Sequence, residues 1–161
     1  MSTPRSDSMR LYGPHAAAIA TIMGSLVAGI VLAWINYRVL GRPDLARRVG
    51  WIGIVVQILL LVIFSSLPPS QLVMFGLPLL QTAIAYWGML YLQGRTIDWH
   101  LQAGARLHTS WRAVGMGLAV GFILFFVAVI VVGVLVSTGF ITPPEPAVSP
   151  VSTATPTIIA P

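Results

Sequence analysis

The sequence predicts an all-α integral membrane protein: a four-transmembrane-helix bundle with a disordered or extended Pro/Thr-rich C-terminal tail. Three observations lead there. Of 161 residues, 57% are apolar and 8% are charged, where an average soluble domain carries roughly 25% charged residues. The apolar residues gather in four runs, at about 15–37, 50–67, 71–93 and 113–140. About 20 such residues, rising 1.5 Å each, cross a hydrocarbon core of roughly 30 Å. Finally, the cations lie between the runs rather than inside them.

Residues 1–14, MSTPRSDSMRLYGP, read as a flexible polar segment, with Pro14 suited to the first turn of a helix. The run at 15–37 carries small residues at every fourth position: Ala17, Thr21, Ser25, Gly29 and Ala33. A second row holds Ala16, Ala20, Gly24 and Ala28. Positions four apart stack on one helix face, and in lipid such strips are where helices approach closely. This helix is therefore expected to be the one the others pack against. It is too long for a signal-peptide core and ends in WINYR without a small-residue exit, so it reads as an uncleaved span.

Residues 38–49 form a charged loop, with Arg38, Arg42, Arg47 and Arg48 against Asp44 alone. Gly41 and Pro43 stop the first helix. The second span, 50–67, holds Gln57 as its one strongly polar interior side chain. The tight turn at 68–70 (PPS) forces an antiparallel hairpin with the third span, 71–93. Gly76 and Pro78 predict a kink near the start of that span, and Gln81 and Thr82 lie near its middle. A second charged loop covers 94–112, where Ile97, Leu101 and Ala105 fit either a short interfacial helix or a plain loop. The fourth span, 113–140, carries Gly117 and Gly121 in a G-x-x-x-G arrangement. The tail, 141–161, has six prolines and six Ser or Thr in 21 residues and reads as disordered, or as a strap on a neighbouring subunit.

Seven of the nine arginines lie in or beside the two charged loops, and there is no lysine. The positive-inside rule then places both loops in the cytoplasm and, with four crossings, both termini outside. All five Trp residues fall towards the same edge, as the aromatic preference for the headgroup layer requires.

The chemistry is sparse. No Asp, Glu, Lys or Arg lies within the four apolar cores, which speaks against a proton pump or ion-coupled carrier. The absence of cysteine removes thiolate metal sites, iron–sulfur clusters and c-type haem. His15, His100 and His108 sit at span edges and loops, where they cannot face one another across a bundle as b-type haem ligands must. No catalytic, cofactor or metal residue is therefore assigned, and nothing suggests nucleic-acid binding. Gln57 and Gln81 are candidates for an interhelical polar pair. Arg42, Arg47, Arg48, Arg95 and Arg106, with Trp51, Trp99 and Trp111, form a candidate rim for anionic phospholipid headgroups.

NYRVLGRPDLARR, followed by a Trp/Gly-rich span, and later SWRAVGMGLAVG resemble a loose group of small bacterial four-helix membrane proteins without assigned chemistry. The tail STATPTIIAP resembles Pro/Thr tails of membrane proteins from green non-sulfur phototrophic bacteria. That resemblance implies an accessory subunit of an assembly such as the quinol-oxidising alternative complex III. The expected function is a non-catalytic accessory or assembly subunit in the bacterial inner membrane, with other membrane subunits and anionic phospholipids as partners. The alternative is a small homo-oligomeric carrier or pore for a neutral solute, with Gln57 and Gln81 on its path.

Overall fold

The computed structural model describes residues 10–68 and 70–141. Its elements, in chain order, are β1 (Arg10–Leu11), α1 (Pro14–Val39), α2 (Pro43–Ser65), α3 (Gln71–Gln102), β2 (Arg106–Leu107) and α4 (Ser110–Ser137). All four helices are long and apolar enough to cross a membrane, so the expected all-α, multi-pass membrane architecture is present. Apart from Ile141, the tail at 141–161 lies outside the described residues, as do residues 1–9.

The chain divides into two compact units, Met1–Val127 and Ala128–Pro161. The first is built around α1, and α1 is not one straight rod. Gly24 (φ −138°, ψ 20°) and Ser25 (φ 71°, ψ 175°) leave helical geometry and divide it into arms at 14–23 and 26–39. The arms fold back on each other. Tyr12 N–H donates to Asn36 Oδ1 at 2.8 Å, and Asn36 Nδ2 donates to the Tyr12 carbonyl at 2.8 Å. A straight helix would hold those residues about 36 Å apart. A Cβ added at Gly29 would lie 2.5 Å from Thr21 Oγ1 and 3.5 Å from the Ala17 carbonyl.

The small residues explain why this hairpin can close. Ala16, Ala17, Ala20 and Thr21 on the first arm, with Ala28, Gly29 and Ala33 on the second, are all buried. The strip expected to receive other helices thus also lets one helix pack against itself. Segments with non-helical backbone at membrane depth need protein around them. α1 is accordingly the most buried of the four helices.

The second arm runs antiparallel to α2, where Ile30 meets Gly53 and Trp34 approaches Gly50, and Leu26 packs with Leu60 and Ala85. It runs parallel to α3, through bonds from Leu26 to Gln81 and from Asn36 to Gln93. The first arm lies along the start of α4, with Gly117 against Ala20 and Met23, and Gly121 against Met23 and Gly24. The G-x-x-x-G pair therefore seats the tip of the chain's own hairpin.

β1 pairs with β2 in parallel, Arg10 opposite Arg106 and Leu11 opposite Leu107, and His108 N–H donates to the Leu11 carbonyl at 2.8 Å. Leu11 is fully buried and Tyr12 nearly so. The expectation of a flexible segment over 1–14 therefore fails for residues 10–14. Residues 10 and 11 also lie beside the second charged loop, at the end of the first unit where that loop sits. A 26-residue apolar helix doubled on itself begins and ends at one level.

Both charged loops are shorter than expected. Gly41 (φ +69°) ends α1, with Arg42 N–H on the Tyr37 carbonyl and Gly41 N–H on the Arg38 carbonyl. This is the left-handed stop that glycine permits at lowest cost. α2 then starts at Pro43, with Asp44 in its first turn, where a carboxylate favours the helix dipole. α3 continues through 94–102 and absorbs half of the second loop; Ala103 and Gly104 close it. No residue of α3 leaves helical geometry, so Pro78 does not interrupt it. Proline at the start of the third turn removes one ladder bond, to the Met74 carbonyl.

In the second unit, the described residues are 128–141. α4 ends at Ser137, three residues before the expected limit. Phe140 N–H bonds to the Leu135 carbonyl and Gly139 N–H to the Val136 carbonyl.

Candidate functional site

Three places in the first unit concentrate polar groups. One is the tip of the α1 hairpin. Gly24 meets Gly117, seven residues into α4 and so about 10 Å from its start. Leu26 N–H, freed by the break, donates to Gln81 Oε1 at 3.3 Å. Gln81 precedes Gln93 by twelve residues, or about 18 Å along α3. The tip therefore lies well inside the bundle. Ser25 Oγ accepts from Val27 N–H at 3.4 Å, the position of an N-cap for the second arm.

The polar pair expected between Gln57 and Gln81 does not form. Gln81 serves the α1 backbone, and Gln57 Oε1 is a buried atom without a hydrogen-bond partner among the described residues.

At the other end of the hairpin lies a polar cluster that sequence reading did not single out. Asn36 donates to Gln93 Oε1 at 2.9 Å as well as clasping Tyr12, and Gln93 Nε2 donates to the Ala33 carbonyl at 2.9 Å. Both side chains are almost fully buried. Tyr37 O–H donates to the Leu92 carbonyl at 3.1 Å. The available signal was an Asn and a Gln each placed inside the last turn of an apolar run.

The third place is the arginine-rich end. Arg42 and Arg95 share a cleft of about 480 Å³ with Leu40, Thr96, Trp99 and His100. The other rim residues are elsewhere. Arg47 lies in a groove with Trp34 and Arg38, the latter stacking at 4.9 Å on the Trp34 ring. Arg48 flanks Arg42 on the side of Asp44. Arg106 faces Arg10 across the strand pair. Trp51 and Trp111 are exposed and line none of these clefts. The eight-residue rim is thus several separate sites; two of them, the Arg38/Arg47 groove and the Arg42/Arg95 cleft, bring together two arginines without a carboxylate in the lining, and only the second adds Thr96 and His100.

The histidines are separate too. His15 packs on Tyr86 with ring centroids 5.4 Å apart, His100 Nδ1 donates to the Thr96 carbonyl at 2.8 Å, and His108 stacks on Tyr12 at 4.4 Å. Burial, then the nearby Arg112 and Arg10, hold the His108 imidazole below its ordinary pKa. Among the described residues, no group of three metal-ligating side chains converges.

No family model matches this chain, and comparisons with curated proteins and with solved structures return no match.

Proposed function

We propose that this chain is a non-catalytic integral-membrane subunit that supports the assembly of a larger membrane complex. The observation behind this reading is the use made of the buried polar side chains. Asn36, Gln93, Gln81 and Thr21 all bond to the chain's own backbone or to one another. Their chemistry goes into holding a re-entrant hairpin. The host suggested by the tail's resemblance is a quinol-oxidising electron-transfer complex. Purification from native membranes in mild detergent, followed by mass spectrometry and a visible spectrum, is the test. Stoichiometric recovery with larger redox-active subunits is expected. A colourless assembly of this chain alone overturns the reading.

The hairpin supports the following membrane arrangement. α1 enters and leaves on one side, α2, α3 and α4 cross, and the arginine-rich end faces the cytoplasm of a bacterial inner membrane. Residues 10–13 then join the charged loops instead of lying outside. The chain contains no cysteine, so single introduced thiols report cleanly. Arg10→Cys and Gly41→Cys are expected to react with an impermeant maleimide from the same side, and Ser66→Cys from the other. Labelling of Arg10→Cys and Ser66→Cys from one side would refute the re-entrant arrangement.

A carrier for a neutral solute is the second reading, favoured by the helix break at depth and the unpartnered Gln57 oxygen. Discontinuous membrane helices often border substrate sites. Gln57→Leu separates the readings: loss of uptake with the fold intact favours a carrier, and unchanged assembly favours a subunit.

A further inference from the structure

The geometry points to a binding site for the phosphate group of an anionic phospholipid in the cleft between the α1–α2 turn and the end of α3. Its wall on α3 is a single helix face. Arg95, Thr96, Trp99 and His100 are spaced i, i+1, i+4 and i+5, which brings them onto adjoining rows of one side. The opposite wall is Leu40 and Arg42, held by the Gly41 turn. Two arginines from separate elements thus line one space, and no carboxylate lines it. Such an arrangement is self-repelling when empty and favourable around an anion. Arginine suits phosphate because its fork can donate two parallel hydrogen bonds.

The other lining groups fit the same ligand. The Thr96 hydroxyl can donate to a phosphate oxygen. The bond from His100 Nδ1 to the Thr96 carbonyl fixes the imidazole, leaving Nε2 as its free nitrogen. Trp99 is 65% exposed and packs edge-on to His100 at 4.7 Å, offering an apolar surface beside the charged one. A volume of about 480 Å³ falls in the range of small-ligand pockets, roughly 300–1,000 Å³. It has room for a glycerophosphate group.

Free phosphate has the same chemistry, but the surroundings favour lipid. The cleft opens at the end of an apolar helix whose Trp87, Leu90 and Tyr91 are exposed just one to two turns away. An acyl chain attached to a headgroup in the cleft would have that surface to lie on.

Native mass spectrometry of the full-length protein in mixed micelles tests the site, with phosphatidylglycerol, phosphatidylcholine and inorganic phosphate as separate probes. The wild type is expected to retain phosphatidylglycerol over phosphatidylcholine, and R42Q/R95Q to lose that retention by about tenfold. R10Q/R112Q removes the same charge at residues that line none of the arginine clefts and is expected to leave retention unchanged. Thermal midpoints in neutral detergent, with R95Q alone as a milder variant, separate lost binding from lost folding. Equal loss in both double variants reduces the effect to overall charge and overturns the proposal. Full displacement by inorganic phosphate, without lipid preference, overturns the lipid assignment.

Discussion

Gly117→Val is expected to prevent the hairpin from seating, at a cost at or above about 3 kcal/mol, the upper end for overpacked cores. A Cβ there would lie 2.6 Å from the Ala20 carbonyl oxygen and 2.8 Å from Met23 Cβ. The first of these is backbone and cannot rotate away. On the opposing side, a Cβ at Gly24 would fall on the Gly117 carbonyl. The two glycines are therefore one contact, and enlarging either separates α4 from the hairpin tip. Gly115→Ala, on the same helix with open space around its Cα, is the control. It is expected to be neutral or slightly stabilising, because alanine favours a helix over glycine by about 1 kcal/mol. Unfolding in mixed micelles with increasing SDS measures both. Equal stability of Gly117→Val and the wild type would refute the close approach.

Asn36→Leu is expected to be the next most damaging change, at about 2–4 kcal/mol. The side chain is completely buried and makes three hydrogen bonds. Leucine conserves its size and leaves the Tyr12 N–H, the Tyr12 carbonyl and Gln93 Oε1 without their partner. Each buried group so orphaned costs about 1–3 kcal/mol, less where water can enter. The expected signature is local before it is global: in an Arg10→Cys background, the thiol should react faster once Asn36 no longer clasps Tyr12. An Asn36→Leu variant with unchanged stability and unchanged thiol reactivity would show that the clasp contributes nothing.

Much of this architecture was legible in the sequence, because hydropathy reports burial in lipid directly. The four apolar runs and the clustering of Arg and Trp at one edge follow from that rule alone. The fold of α1 was not legible for an equally physical reason. Twenty-six apolar residues satisfy the length of a crossing, and a doubled helix has the same composition as a straight one. The Gly24–Ser25 pair marks the break, yet isolated small residues are common in membrane helices that stay straight. The strip of Ala17, Thr21, Gly29 and Ala33 carried the right meaning, close packing, without naming the partner. Gln57 and Gln81 were located at depth by counting residues, but counting cannot assign hydrogen bonds. Only Gln81 sits where the break frees a backbone N–H. Similarly, the arginine rim was visible as a population, while the pairing of Arg42 with Arg95 depends on α3 continuing past Gly94.

The broken helix also constrains the order in which the protein is made. Its tip is supported by Gln81, 55 positions beyond Leu26, and by Gly117 and Gly121 of α4. When the first segment leaves the ribosome, none of these exists. An unwound Gly24–Ser25 backbone would then face lipid with its polar groups unmet, a state costing several kcal/mol per group. The segment must therefore begin as an ordinary continuous helix and bend only after α3 and α4 arrive. α1 is thus synthesised before the elements that support it and reaches its final shape only after them, and an insertion intermediate truncated before Gly117 is expected to hold α1 straight.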